Sequence, residues 1–403
     1  MAGPCEGGRS LSCGRIAAGR SGIVATMLTR RTLLTTAAAG VAALGTGAPA
    51  WAAVTPVLTA PTGPHVIGRT DMHLVDRSRA DPWLPDRRYR ELMVSVWYPA
   101  RDVRGRPRAL YQPPLVAAEY QRQVLGKISP SALNWAGIRT HAHVDAPVLP
   151  GRRPLILFSP KHFEIRSYAT LLAEELASRR YVVVTTEGTH EALAVEFPYG
   201  RLETVKPQSI PAPGDPVDLL DKQKRAVRSR ADDLAFVLRS VRSRFDVSAV
   251  GAFGMVGGAV AAMRAAARGA RIDAIAGMPE VVGPWVTDVA PVPFLQFAEP
   301  GNNHRDNPAW REFWPDLTGW KLSLRLTGST WGSFCDYQAL FPSIRAGCPD
   351  YDYGNEIGTI APARSIAAQR AYLTAFFDLH LRGRDNGLLR GPSTEHPDVG
   401  FIV

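Results

Sequence analysis

Residues 249–264 run as a short apolar segment, a glycine-punctuated turn and an alanine-rich helix, and this order constrains the fold more than any other feature of the chain. The turn reads Gly254-Met255-Val256-Gly257-Gly258. Glycines at that spacing flank a strained strand-to-helix elbow, which in many hydrolytic enzymes lifts a serine hydroxyl above a sheet. Here the raised position is Val256, whose two methyl groups offer no atom that can attack a carbonyl. No intact G-x-S-x-G occurs elsewhere in the chain.

The rest of the chain alternates in the same sense. Residues 154–158, 181–186, 249–253, 272–277, 292–298 and 321–327 are short apolar runs. Between and after them, residues 167–179, 216–244, 307–317, 333–344 and 364–381, together with the segment from Gly257, have helical character. Solid apolar strands alternating with helices need cover on both faces, which predicts a mainly parallel α/β sheet. Residues 65–76 and 91–99 alternate apolar and polar side chains and predict an antiparallel pair at one edge. Residues 77–90, rich in Arg, Asp and Pro, read as a loop, and the Pro-rich residues 101–151 as an irregular cap-like insert with a helix near 115–125. Residues 53–403 are thus expected to form a single domain.

Residues 1–52 carry a different signal. Met27-Leu28-Thr29-Arg30-Arg31-Thr32-Leu33-Leu34, a modest apolar stretch to Leu44, and Ala50-Trp51-Ala52 have the layout of a twin-arginine export signal with cleavage after Ala52. Met27 is a plausible true start of translation. The formal charge of the whole chain is +10; residues 1–52 hold five arginines and one acid, leaving +6 for the remainder. No Lys/Arg run with interleaved aromatics appears, so nucleic acid is not an expected partner. Export would remove Cys5 and Cys13. Cys335 and Cys348 are then read either as a disulfide or as two buried thiols, and the sequence leaves both open. No Cys/His grouping has zinc-site spacing, and no metal or cofactor is expected.

Over nearly the whole exported chain the sequence resembles the platelet-activating factor acetylhydrolase family of bacterial secreted α/β-hydrolases. The resemblance is carried by Pro61-Thr62-Gly63-Pro64, by Leu74-Val75-Asp76-Arg77-Ser78-Arg79 with Asp81-Pro82-Trp83, and by Glu91-Leu92-Met93-Val94-Ser95-Val96-Trp97-Tyr98-Pro99. Arg139-Thr140-His141-Ala142-His143, Leu157-Phe158-Ser159-Pro160, Ala194-Val195-Glu196-Phe197-Pro198 and Ala375-Phe376-Phe377-Asp378-Leu379-His380-Leu381-Arg382-Gly383 follow in order. The resemblance implies an α/β-hydrolase fold and a Ser-His-Asp triad, in which imidazole deprotonates serine and a carboxylate holds the imidazole. The position matching the serine is Val256, and that matching the acid is Pro279, with Glu280 one residue on. The histidine position, in the frame Gly328-Ser329-Thr330-Trp331-Gly332-Ser333-Phe334-Cys335-Asp336, is Trp331. After Ser159-Pro160 the family pattern has a glycine that frees backbone N–H groups for an oxyanion; here Lys161 stands there. Val256 and Trp331 are expected to fill the space that a serine and an imidazole would share.

Substitute groups remain. Thr330 lies in a G-x-T-x-G arrangement, for which an ordinary sheet-edge loop is the simpler reading. His162 and His190 follow the strands ending at Phe158 and Thr186, with Glu187 and Glu191 beside His190, and could activate Ser159 or a water. His141-x-His143 has strand metal-ligand spacing, but a structural role is favoured. The helix over 222–244 places Leu234, Val237, Leu238 and Val241 toward the sheet and its arginines toward solvent, where contact with a membrane surface is a further option. The expectation is an exported α/β-hydrolase-fold protein with impaired catalysis that keeps a lipid or small-ester pocket. The alternative is a carboxylic-ester hydrolase, acting on lipid acetyl esters, that works through the substitute residues. The sequence leaves the oligomeric state open.

Overall fold

The computed structural model describes residues 53–126, 128, 131–347 and 353–403. The export signal with Arg30 and Arg31, the cleavage site at Ala52, and Cys5, Cys13 and Cys348 lie outside the described residues. The strands, in chain order, are β1 (Ile67–Asp76), β2 (Arg90–Pro99), β3 (Arg108–Leu110), β4 (Arg139–Val144), β5 (Arg153–Ser159), β6 (Val182–Thr186) and β7 (Ala194–Phe197). They continue with β8 (Arg201–Thr204), β9 (Val247–Gly254), β10 (Ala274–Gly277), β11 (Phe294–Ala298), β12 (Lys321–Leu326) and β13 (Val399–Ile402). The helices are α1 (Pro114–Gln123), α2 (Thr170–Ser178), α3 (Pro216–Arg242), α4 (Gly258–Ala267), α5 (Pro308–Phe313), α6 (Tyr337–Gly347), α7 (Gly354–Ile357) and α8 (Pro362–Arg382).

Eleven strands form one sheet in the order β13-β12-β11-β10-β9-β5-β6-β2-β1-β4-β3, and β7 and β8 form a separate hairpin. The block from β6 through β5, β9, β10 and β11 to β12 is parallel throughout, as the solid apolar runs require. β9 lies between β5 and β10, in the interior of the sheet. Alternate residues of one strand feed two cores. Leu155 and Leu157 pack into the layer containing Val227, Leu234 and Val260, while Ile156 and Phe158 pack with Leu172, Phe253 and Phe376. Helices α3 and α4 therefore cover one face and α2 and α8 the other.

The insert departs from the sequence reading. β1 and β2 pair antiparallel as expected, yet they do not form the edge. Residues 101–151 are not an irregular cap: β4 adds to β1 in parallel and β3 to β4 in antiparallel, extending the sheet by two strands. Thr140 and Ala142 are buried and their neighbours are not, a two-residue period hidden by the prolines around it. The expected helix is α1. The C-terminal strand β13, absent from the sequence reading, closes the opposite edge against β12.

Residues 77–90 form the expected loop between β1 and β2, and of its charges Asp81 and Arg90 are buried while Arg77, Asp86, Arg87 and Arg88 face solvent. The Arg90 guanidinium is fully buried and forks onto Asp233 of α3, with Nη2 2.8 Å from Oδ2 and Nε 3.2 Å from Oδ1. Its Nη1 donates to Asp81 Oδ2 and to the Thr189 carbonyl, each at 2.7 Å. Arg79 also reaches Asp233. Burial opposes the charge on Arg90, but the Asp233 and Asp81 carboxylates outweigh it and raise its pKa. Breaking such a pair from one side leaves a buried charge without its counter-ion, so Asp233→Ala should cost about 3–5 kcal/mol in a urea titration. Asp102→Ala, at the exposed Arg104 pair, should leave the midpoint unchanged.

Candidate active site

The elbow is present in geometry although its nucleophile is absent. β9 ends at Gly254, and Met255 N–H donates to the Ser159 carbonyl at the end of β5, 3.2 Å away. Val256 then takes a φ of 41°, a left-handed conformation that is an outlier for a β-branched residue. Such a backbone costs of order 1–3 kcal/mol and persists only where the surroundings over-determine it. Two glycines do so. A Cβ on Gly254 would stand 2.3 Å from the Ala259 nitrogen, and one on Gly258 would stand 2.1 Å from the Ser159 oxygen. Only glycine lets α4 start this close to β9 and β5.

Glu280 occupies the ground where an oxyanion would be held. After the end of β10, its buried carboxylate turns back onto the elbow and accepts the Gly257 N–H through Oε1. Oε1 also accepts Val281 N–H at 2.8 Å, and Oε2 accepts Ala259 N–H at 2.6 Å and Val260 N–H at 3.4 Å. The N–H following the nucleophile position is one of the donors an esterase elbow offers its tetrahedral intermediate. Here that donor is already bonded to an internal anion at the N-terminus of α4, where negative charge is favoured. Burial pushes the Glu280 carboxyl up, against the pull of the N–H groups. Pro279, at the acid position, contributes only its carbonyl, which accepts Val256 N–H at 3.1 Å.

The other two positions have become partners of each other. Lys161 Nζ lies 3.5 Å from the centroid of the Trp331 ring, a cation–π contact, and 3.5 Å from Glu164 Oε1. Val256 and Trp331 do not jointly fill the vacated space as expected. Trp331 packs on Lys161, while Val256 stays half-buried on the wall of a cavity of about 290 Å³. His162, Phe163, Arg230, Val281 and Trp285 are among the residues that share that wall with it. All of these groups follow the C-terminal ends of parallel strands or lie on α3, where α/β sheets place their ligands.

The substitute groups separate clearly. The Thr330 hydroxyl donates to the Glu356 carbonyl and caps a short turn with Ser333, as the loop reading has it. His190 is buried between Asp81 (3.1 Å) and Glu203 (3.4 Å), away from the cavity wall. Ser159 is buried in a small cleft with Glu164, Glu187 and Glu191, not on that wall. His162 does line the cavity, with Nδ1 3.7 Å from Glu191 Oε2 and Nε2 buried without a hydrogen bond. His141 Nδ1 meets Glu174 at 3.0 Å and His143 Nδ1 donates to the Arg106 carbonyl at 2.7 Å, so both serve the sheet edge.

Cys335 is a buried free thiol that donates to the Gly332 carbonyl. Sequence reasoning missed Arg230. It was counted with the solvated arginines of α3, yet it is buried and paired with Glu191 at 2.9 Å. The signal was its place on the stripe that also holds Asp233, Leu234 and Val237.

The fold and the elbow define an α/β-hydrolase of the esterase type. No family model matches the chain. A probable 1-alkyl-2-acetylglycerophosphocholine esterase of Arthroderma benhamiae is 27% identical, over 86% of this chain and 94% of its own length. The solved ferulic acid esterase of Streptomyces cinnamoneus is 34% identical and superposes with a TM-score of 0.72, covering 86% of this chain and 99% of its own. The chain belongs to the platelet-activating factor acetylhydrolase-like family of α/β-hydrolases.

Asp336, in the frame around Trp331, accepts the Thr170 and Leu171 N–H groups at 2.9 Å and caps α2. Full burial pushes its carboxyl up to about 8 against those bonds. A carboxyl raised in the folded state holds a proton that the unfolded chain has released above about pH 4. Its stabilisation is therefore complete below about pH 4 and is lost as pH rises toward 8, by at most about 1.4 kcal/mol per unit. Thermal melts across that window should show a falling Tm in the native protein and a shallower fall in Asp336→Asn.

Proposed function

We propose that this esterase-family protein binds a small apolar ester or acid at the elbow without hydrolysing it by serine chemistry. The observation that carries this reading is the Glu280 carboxylate on the Gly257 N–H. A missing nucleophile alone leaves an oxyanion site intact, whereas here the donor that would stabilise the transition state is bonded to an internal anion. Val256 cannot form an acyl-enzyme, and the indole of Trp331 is no general base near neutral pH. The open cavity beside Val256 supports retained binding. A second reading is favoured by one observation: His162 lines the cavity with Nδ1 3.7 Å from Glu191 Oε2, an imidazole–carboxylate couple that could activate a water. We also propose that the protein is exported, on the strength of Arg30-Arg31 and the small-residue site at Ala52. Replacing both arginines by lysine should then leave unprocessed precursor inside the cell.

The purified protein should hydrolyse p-nitrophenyl acetate no faster than a surface-matched control protein, and a fluorophosphonate probe should leave it unlabelled. Val256→Ser with Trp331→His should remain at least about a hundredfold below a working esterase, because a lost oxyanion donor typically costs 10²–10³ in kcat. Native turnover that disappears in His162→Ala would establish the second reading in place of the first.

A further inference from the structure

We propose that the groove between the C-terminal ends of α3 and α4 is a binding site for a phosphomonoester dianion, held by Arg239, Arg242, Arg268 and Arg271. The site is separate from the cavity beside Val256 and does not depend on how that cavity is read.

Its placement follows from the topology. α3 leads into β9 and α4 into β10, so their last turns lie at the N-terminal edge of these parallel strands, opposite the edge where the elbow stands. On α3, Asp232, Ala235, Arg239 and Arg242 recur at intervals of three and four residues and share one face. Ala265 and Arg268 at the end of α4, with Ala270 and Arg271 just after it, stand across from that face. The floor is small. Ala231, Ala235, Ala265 and Ala270 leave a groove of about 540 Å³ between the two helix ends.

The charges of the groove are not balanced from within the protein. Arg239, Arg268 and Arg271 are exposed and Arg242 is half-buried, so the groove presents its cations to solvent. Arg239, Arg242 and Arg271 make no side-chain hydrogen bond or ion pair with any described residue. Arg268 Nε lies 3.3 Å from Asp288 Oδ2, but Asp288 also pairs with Arg264, a cation outside the groove that offsets it. Asp273 follows Arg271 closely in sequence, yet it is not on the wall, and its Oδ2 accepts Val250 N–H at 2.9 Å. Asp232 is the acid that remains on the wall. The C-terminal poles of α3 and α4 supply about half a negative charge each, which favours arginines in these turns. Asp232 and the two poles together offset two of the four cations, so about two positive charges have no counter-ion.

That excess selects among anions. A carboxylate, a sulfate ester or a phosphodiester brings one negative charge. A phosphomonoester carries about 1.5 to 2 near pH 7, on three oxygens that several guanidinium forks can share. The alanine floor leaves room for the body of the molecule that bears it. The same group occurs on soluble phosphomonoesters and on phosphatidic acid in a membrane, and the experiment separates these sources.

Phenyl phosphate, methyl phenyl phosphate and phenyl sulfate, one dianion and two monoanions on the same ring, are titrated by calorimetry into the purified full chain. Phenyl phosphate should bind saturably with a Kd of about 1 mM or tighter, at least about fivefold tighter than either monoanion, and should weaken as NaCl is raised. Arg239→Gln with Arg271→Gln should weaken it about tenfold or more, and neither side chain leaves a partner behind. Arg101→Gln with Arg108→Gln removes the same net charge from exposed positions outside the groove and should leave the affinity within about twofold. Vesicles of phosphatidylcholine containing phosphatidic acid identify the source. Cosedimentation that is lost in the Arg239→Gln, Arg271→Gln variant assigns the groove to a lipid headgroup, whereas phenyl phosphate binding without cosedimentation assigns it to a soluble ligand. Absence of phenyl phosphate binding, equal affinity for the monoanions, or equal losses in the two double variants would overturn the proposal.

Discussion

The Glu280 carboxylate on the amide groups of the elbow is the contact around which the site is organised. It joins the end of β10 to the start of α4, neutralises the positive pole of that helix, and fixes the corner at which β9 turns. Glu280 is itself held from behind, where its carbonyl accepts the Trp310 indole N–H at 3.2 Å and the Asn302 amide at 3.1 Å. The elements around the elbow are thereby tied to one buried residue, through both its side chain and its carbonyl. The strained φ at Val256 persists because this scaffold leaves the turn no alternative.

A second network stands on the other side of the cavity. Arg90, Asp81, Asp233, Arg230 and Glu191 link β2, the loop before it, α3 and the segment after β6 through buried ion pairs. Each charge has a counter-ion, which is the condition for keeping it out of water. The network also reaches the cavity wall, since Glu191 pairs with Arg230 at 2.9 Å and lies 3.7 Å from His162, and both of these line it.

The parallel block of the sheet was legible in the sequence because β5, β6, β10 and β11 are buried on both faces, so that most of the block reads as solid apolar runs. β3 and β4 were not, being short, half-buried and flanked by prolines, and β13 lies after a polar tail that carries no periodic signal. The elbow was legible as a turn: Val256 takes the left-handed position that the flanking glycines mark, and Glu280 follows Pro279 one residue beyond the acid position of the family frame. Their present partners were not legible. Glu280 meets Gly257 only because β9 and β10 are neighbours in register, and Lys161 meets Trp331 across strands distant in sequence. The pattern did mark Arg230 and Asp233 as charges on the apolar stripe of α3, and a charge in such a place needs a buried partner.

The left-handed turn at Val256 also bears on how the site could change. The backbone holds the corner by glycine packing and by Glu280, independently of what the raised side chain does. Side chains at the corner can therefore be exchanged without refolding it, and in that sense the architecture is neutral toward chemistry. The barrier to a hydroxyl nucleophile returning here lies in how many separate side chains must change together, because each alone meets an unprepared neighbourhood. Loss of function at such a corner is a ratchet in side-chain space cut into an unchanged backbone.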